Sequence, residues 1–289
     1  MKQNLTKQSA LSLLKSAISI LVSHRNLLYP FLLLGFIQLL VLELLYFYPR
    51  YPFKIFFGPL VSKLWTEQLM HYPYNLMLLP KLFHYVQGPI YIIIGYFLIC
   101  TSINAVSKIN NGEKVHFKSD FAELFKRSYI HIFVISLLIY IVILSEGKIY
   151  QFLYDRAFEI KSISGIYALI KKIIISGEPI FQFVFNVLII SLFMYVYPLI
   201  TIDKQKVFHA MSTSIYIWRK SFLTTFLIVF IPLLFYMFIL LLRNFISVED
   251  TFPEAKVFII IINIAALLFV DAVIYTAATL NLLLEKENR

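Results

Sequence analysis

Six apolar runs, most of them close to 20 residues long, limit the fold of this chain more than any other feature of its sequence. They cover residues 27–48, 85–107, 129–145, 180–202, 221–242 and 257–283. About 20 predominantly apolar residues in helical conformation cross the hydrocarbon core of a bilayer, where only helices and closed barrels satisfy the backbone polar groups. The chain is also 60% hydrophobic and 15% charged, more apolar side chain than 289 residues could bury in a soluble fold. We therefore predict an all-α polytopic membrane protein with six transmembrane helices in a single membrane domain.

The stretch 162–176 is harder to assign, because it is apolar but short and contains Lys171 and Lys172. Three interpretations stay open: a re-entrant segment, an interfacial helix or a seventh span. The last would place the two termini on opposite sides of the membrane.

The distribution of Lys and Arg over the loops indicates the orientation of the chain. With the N-terminus inside, the inner segments hold 15 of these residues and the outer loops hold 11. Since cytoplasmic loops carry the excess of Lys and Arg, we predict that both termini are cytoplasmic. The outer loops are then residues 49–84, 146–179 and 243–256.

A short basic motif is repeated at the start of each odd-numbered apolar run, and an amphipathic stretch precedes it each time. The motifs are His24-Arg25-Asn26, Lys126-Arg127-Ser128 and Arg219-Lys220-Ser221, at the C-terminal ends of the amphipathic stretches 9–23, 117–128 and 207–220. Amphipathic helices of this kind lie in the plane of the membrane interface with basic residues at the headgroups. We therefore predict three repeats of an interfacial helix followed by a two-span hairpin, at approximately 7–107, 112–202 and 204–284.

The net charge of +10 indicates an anionic partner. In a membrane protein this partner is predicted to be anionic lipid headgroups rather than nucleic acid. The basic residues expected to face them are Arg25, Lys126, Arg127, Arg219 and Lys220. Cys100 is the only cysteine, so no intrachain disulfide forms, and we expect it to be a small buried side chain.

No catalytic motif is found in the sequence, and we predict neither enzymatic activity nor a cofactor or metal. The nearest candidate is Glu67 with His71, one turn apart on a predicted outer helix whose apolar side also holds Val61 and Trp65. Two ligands are too few for a catalytic zinc site. An ordinary ion pair on an exposed helix is the alternative interpretation.

Two carboxylates lie inside apolar runs, where such groups are costly and usually face the interior of the bundle. Asp271 is near the middle of the sixth run, and helical spacing places Asn263, Tyr275 and Thr279 on the same side, with Asn281 at its edge and Thr276 pointing away. Two interpretations of Asp271 stay open: part of a functional pathway, or a structural hydrogen bond with Tyr275 as candidate partner. Glu43 lies nearer the outer end of the first run, so we do not expect it to pair with Asp271. Pro198 and Pro232 are expected to kink their helices.

The stretch 197–234 resembles a signature of six-span bacterial membrane proteins related to the membrane domain of glycerophosphoryl diester phosphodiesterase, which include the YciC-like group. The matching positions are Pro198, Asp203, Ala210, Ser214, Arg219 and Lys220. The resemblance implies a multi-pass protein of the bacterial inner membrane. It transfers no catalytic residue, because the enzyme's activity lies in a separate soluble barrel that this chain lacks. The long loop 49–84 departs from the short connections usual in that group.

Two functions from different classes follow as expectations. The first is a non-enzymatic inner-membrane protein that handles or transports a lipid or a small apolar solute. The second is a structural or assembly scaffold of a membrane complex, which binds a membrane-protein partner or a second copy of itself and transports nothing.

Overall fold

The computed structural model describes residues 9–64, 67–159, 171, 174–175, 177–245 and 253–287. Helices account for 88% of the structure, and none of the described residues is in a strand, which confirms the all-α class. Most of the predicted segment 162–176 lies outside the described residues. The helices are α1 (Ala10–Ser23), α2 (Tyr29–Tyr46), α3 (Phe53–Leu64), α4 (Tyr74–Ile90), α5 (Tyr96–Asn110), α6 (Phe117–Glu159), α7 (Glu178–Phe193), α8 (Val196–Thr201), α9 (Val207–Lys220), α10 (Phe222–Phe245) and α11 (Ala255–Glu287).

The helical segments long and apolar enough to cross a bilayer number five within the described residues. They are Arg25–Tyr46, Tyr74–Asn110, Phe117–Phe158, Ile180–Thr201 and Ala255–Glu287. A sixth is added if Val207–Lys220 and Phe222–Met237 are taken together, although these two helices are bent by 98° at the break between them. The structure therefore has the composition of a multi-pass membrane protein with five or six spans.

The helices extend well beyond the predicted apolar runs and continue into two of the predicted outer connections. The second span begins at Tyr74 rather than at residue 85, and α6 continues through Glu159, which places helix in much of 146–159. At about 1.5 Å per residue, the 43 residues of α6 rise about 65 Å, roughly twice the hydrocarbon thickness. The predicted loop 49–84 also contains α3 and a 3-10 turn, Glu67–Met70.

Two of the three predicted interfacial helices are separate elements, and one is not. A change of backbone direction follows α1 at His24 and α9 at Ser221, before the next helix begins. The stretch 117–128 instead forms the first turns of α6, so the separate helix predicted there is wrong. No Gly or Pro occurs between Phe117 and Gly147, and nothing in that stretch therefore interrupts the helix.

The side chains of α1 divide into three faces. One face is buried against α10 and α11, and its residues are Ala10, Leu13, Leu14, Ala17 and Leu21. A second, apolar face is exposed, with Leu11, Ile18 and Val22. Lys15 and four serines form the third. The apolar side chains of α1 are therefore divided between contacts with the protein and exposure to the surroundings, as suits a helix at the edge of a bundle in a membrane.

The spans form a ring in chain order. The first span packs on the second, the second on α6, α6 on α7, α7 on α10 and α10 on α11, and α11 closes the ring on α2. In the middle, α5, α8 and α11 contact one another. The second, fourth and sixth spans therefore supply the interior.

One end of the bundle contains α3 and the start of α4. A hydrogen bond joins two loops at this end. The Tyr72 hydroxyl donates to the Glu254 carboxylate over 2.9 Å, just before α11 begins. This hydrogen bond raises the pKa of Tyr72, because a phenol that donates to a carboxylate gives up its proton less readily.

Candidate functional site: a polar seam in the bundle interior

Regular α-helix is interrupted in two of the three interior spans. The second span changes from α4 to a π-helical turn, Tyr91–Gly95, before α5 begins. The fourth span is broken at Met194 and Tyr195, between α7 and α8. Pro198 accounts for the second break, because a proline ring collides with the carbonyl four residues earlier, here that of Met194. The kink predicted at Pro198 is therefore present as a break in the helix.

Asp271 on α11 meets the π-helical turn of the second span. The Tyr91 hydroxyl donates to Oδ2 of Asp271 over 3.0 Å. The prediction of Tyr275 as the candidate partner is therefore wrong. Tyr275 lies one turn further along the same helix as Asp271, whereas Tyr91 reaches the carboxyl group from the facing span.

Four tyrosine rings from the three interior spans pack beside this carboxyl group. Tyr96 stacks on Tyr197 with centroids 4.7 Å apart, and Tyr197 meets the edge of Tyr275 at 5.7 Å. Tyr91 contacts Tyr96 at 5.7 Å. The Tyr197 hydroxyl also shares a hydrogen bond with Ser136 of α6, at 3.2 Å. Polar hydroxyl groups are thus concentrated where α5, α8 and α11 converge.

A second polar group lies nearer the C-terminal end of α11. The Asn281 amide donates to the Tyr195 hydroxyl, which also lies 3.3 Å from the Thr225 hydroxyl. Thr225 in turn is 3.2 Å from Ser221, at the bend between α9 and α10. The break in the fourth span therefore places Tyr195 in contact with the fifth and sixth spans.

A third polar pair lies on the other side of Asp271. Gln87 of α4 donates from Nε2 to Oε1 of Gln38 on α2 over 3.0 Å, and Gln38 is fully buried. Gln38 also interacts with the Tyr91 side chain, and among the described residues the buried atom Asn263 Oδ1 has no hydrogen-bond partner. Unsatisfied buried polar atoms cost free energy, and in native structures each calls for an explanation such as a bound water or ligand.

We call these groups together the polar seam. Its members are Gln38, Gln87, Tyr91, Tyr96, Ser136, Tyr195, Tyr197, Thr225, Asn263, Asp271, Tyr275 and Asn281. Along α11 the seam runs from Asn263 to Asn281, about 27 Å at 1.5 Å per residue. That length is close to the roughly 30 Å thickness of the hydrocarbon core.

The other site residues predicted from the sequence are not members of the polar seam. Thr279 is fully buried, but its hydroxyl donates to the Tyr275 carbonyl of its own helix over 2.7 Å, and Thr276 is buried as well. Glu43 is exposed on α2, apart from Asp271. The five predicted headgroup-facing residues are all exposed: Arg25, Lys126, Arg127, Arg219 and Lys220.

The outer Glu67 and His71 pair does not form the predicted helical pair. Glu67 begins a 3-10 turn that ends at Met70, so His71 lies beyond it, and both residues are exposed. Within the described ranges, no group of three or more His, Cys, Asp or Glu side chains could hold a metal ion.

Much of the seam was not predicted from the sequence. Gln38 and Gln87 are amides in or beside apolar runs, and this is a signal that could have been used. Apart from Tyr275, which helical spacing placed beside Asp271, the tyrosines carried no such signal, because tyrosine is also the residue expected at membrane interfaces.

The fold and the seam together define a polytopic helical membrane protein with a polar interior. Comparison with protein-family models, with curated proteins and with solved structures finds no match to this chain.

Proposed function

We propose that this chain is a non-enzymatic membrane protein of the bacterial inner membrane that handles or transports a lipid, or another small and largely apolar solute, along the polar seam. The observation that carries the proposal is the hydrogen bond between Tyr91 and Asp271, inside the bundle and at the interruption of a span. A carboxylate at the centre of a spanning helix costs about 2.5–3.5 kcal/mol on insertion scales, and such residues mark substrate and ion pathways.

The interrupted spans support the same proposal. Transporters bind their substrates near the bilayer midplane, between discontinuous helices whose unwound backbone lines the site. Here the π-helical turn at Tyr91–Gly95 and the break at Tyr195 flank the seam on two sides. Irregular backbone at this depth is tolerated only where protein or a wet cavity surrounds it.

A lipid fits the seam better than a wholly apolar solute. The seam supplies hydroxyl, amide and carboxyl groups along about 27 Å, which a headgroup could contact in succession. The outer surfaces of the spans carry large exposed apolar side chains, such as Leu32, Phe36 and Phe269, next to which acyl chains could stay in the bilayer. We therefore propose that the headgroup follows the seam while the chains remain in lipid.

We also infer that the chain consists of three repeats with both termini in the cytoplasm. The contacts of the interfacial segments support this: α9 packs on α6, α7 and α8, which belong to the hairpin before it, and α1 packs on α10 and α11. The start of α6 likewise contacts the second span, where Phe121 and Phe125 surround Phe97. Each segment thus packs on the preceding hairpin, as in a closed ring of three units.

We also propose that the chain belongs to the YciC-like group, on the matching positions within 197–234. Pro198 lies just after the break in the fourth span, and Ala210 and Ser214 are buried where α9 packs. The spacing of these residues therefore matches the helix break at Pro198 and the buried face of α9.

The direct test is lipid movement in vesicles that contain the purified protein and a fluorescent phospholipid. We expect Asp271→Asn and Tyr91→Phe to reduce the rate at which the lipid crosses the bilayer. Glu43→Gln is the matched control, because it removes an exposed carboxylate from another span, and it should leave that rate unchanged. Equal rates for the wild type, Asp271→Asn and empty vesicles would refute the proposal.

One observation favours the second candidate, a structural scaffold. Tyr195 and Tyr197 are almost completely buried and packed among their neighbours, as in a rigid core. If the seam is only structural, Asp271→Asn should lower the thermal stability without changing lipid movement. A fixed membrane-protein partner would then be recovered with both the variant and the wild type.

A further inference from the structure

A cleft of about 650 Å³ lies beside the first basic motif, between the end of α1 and the loop that joins α5 to α6. Its polar lining includes His24, Arg25, Asn26 and Glu113, and its apolar lining includes Leu27 and Phe117. This volume is within the range of about 300–1,000 Å³ that is typical of small-molecule sites.

Both walls of the cleft are held by the backbone. On one side, Arg25 and Asn26 lie in a 3-10 turn, Arg25–Leu28, and Ser102 of α5 anchors this turn by donating to the Leu27 carbonyl over 3.1 Å. On the other side, Gly112 has a φ of 75°, which turns the chain after α5, and the Glu113 N–H donates to the Lys108 carbonyl over 2.9 Å. The two walls are therefore positioned before any ligand binds.

Arg25 and Glu113 carry opposite charges in this cleft but do not pair with each other. Among the residues that the structure describes, Arg25 and Glu113 form no ion pair. Glu113 also lines an adjacent cavity of about 330 Å³, where Lys108 pairs with Asp120 at 2.8 Å and Arg127 with Glu123 at 3.6 Å, so these two cations already have acidic partners. One cation and one anion thus remain available in the larger cleft.

The apolar surface of the first span lies next to this cleft. Phe117 lies 6.1 Å from the ring of Tyr29, which is 58% exposed, and Leu32 follows on the next turn of α2 with 64% exposure. The exposed apolar side chain of Val22 on α1 lies on the other side of the basic motif. An amphiphile could therefore place its polar end in the cleft and its chains against α2.

We infer that this cleft binds the headgroup of a phospholipid that carries both a phosphate and a primary ammonium group. The Arg25 guanidinium and the Asn26 amide would donate to the phosphate oxygens, and the Glu113 carboxylate would accept from the ammonium. This inference rests on the proposed lipid function and adds a class of lipid to it.

The test is native mass spectrometry of the full chain, released from detergent that contains equal amounts of phosphatidylethanolamine, phosphatidylcholine and phosphatidylglycerol. The wild type should retain phosphatidylethanolamine preferentially. Glu113→Gln should remove this preference over phosphatidylglycerol, and Arg25→Gln should reduce retention of all three lipids by about fivefold, since one basic group at a membrane surface contributes roughly that factor. Lys220→Gln is the control, because Lys220 is exposed in the third basic motif and outside the cleft.

Two results would overturn the inference: equal losses for Arg25→Gln and Lys220→Gln, which indicate only general surface charge, or an unchanged lipid preference in Glu113→Gln. Failure of the cleft is distinguishable from failure of the proposed function. If only the cleft inference fails, the protein still moves lipid but retains it without headgroup preference. If only the proposed function fails, the protein retains phosphatidylethanolamine selectively but moves no lipid.

Discussion

Gly88 illustrates how much a single position can decide in this bundle. A Cβ atom added there would lie 2.6 Å from Cε2 of Tyr140, closer than side chains pack, so the second span and α6 meet at this residue only because it is glycine. Gly147, further along α6, has no atom within 4 Å of the corresponding position.

We expect Gly88→Ala to destabilise the protein by about 1–3 kcal/mol, because an overpacked interface forces side chains or backbone to shift. Gly147→Ala should be neutral or stabilise by up to about 1 kcal/mol, since alanine favours helix. Thermal unfolding of both variants in one detergent measures the difference. Equal unfolding temperatures would show that Tyr140 does not pack on Gly88.

The residues of the seam show what a single sequence predicts at this scale. The side of α11 with Asp271 and Tyr275 follows from helical periodicity, which relates residues a few positions apart. The partner of Asp271 does not, because Tyr91 is 180 residues away and reaches it only through the π-helical turn. Pairings across spans depend on the packing of the whole bundle, and nothing local in the sequence encodes them.

At the scale of elements, the break in the fourth span depends on its neighbour α9. Since Met194 and Tyr195 interrupt the helix, the Leu192 carbonyl needs a donor, and the Ser214 hydroxyl donates to it over 2.7 Å. Trp218 adds a second link by donating to the Ser191 hydroxyl over 3.1 Å. Helix α9 therefore caps the break that brings Tyr195 to the seam.

We predict that Ser214→Ala lowers the free energy of unfolding by about 1 kcal/mol or more, because it leaves a buried carbonyl without its donor. Ser212→Ala is the matched control: Ser212 is exposed and its hydroxyl bonds only within its own helix, to the His209 carbonyl. Chemical denaturation followed by circular dichroism compares the two. The capping role is contradicted if both variants unfold at the same denaturant concentration.

The existence of the helices could be predicted from the apolar runs, but their interruptions and ends could not. A run of 20 apolar residues requires helix in lipid whatever its neighbours are. The continuation of α6 through Glu159 and the early start of α4 involve more polar stretches, where contacts with other helices add to weak local preferences.

For the whole molecule, the ring of spans has consequences for topology. Asp120 near the start of α6 and Lys204 before α9 line the same cavity, and Lys286 near the end of α11 pairs with Asp203. The starts of α6 and α9 and the end of α11 therefore lie at one end of the bundle. Lys63 belongs to α3, which packs with the other end of α2 through the contacts of Tyr48 and Val61.

We therefore expect Lys118→Cys and Lys206→Cys to react with a membrane-impermeant maleimide from the same side of the membrane, and Lys63→Cys from the opposite side. All three lysines are exposed, whereas Cys100 is fully buried and adds little background, which a Cys100→Ala parent removes. With both termini cytoplasmic, only Lys63→Cys should react in intact cells, and the other two only after the membrane is opened. If residues 118 and 206 were instead labelled from opposite faces, the hairpins that follow these two segments would enter the membrane from opposite sides. The three-repeat organisation would then be excluded, together with the arrangement in which the second, fourth and sixth spans enclose a common interior.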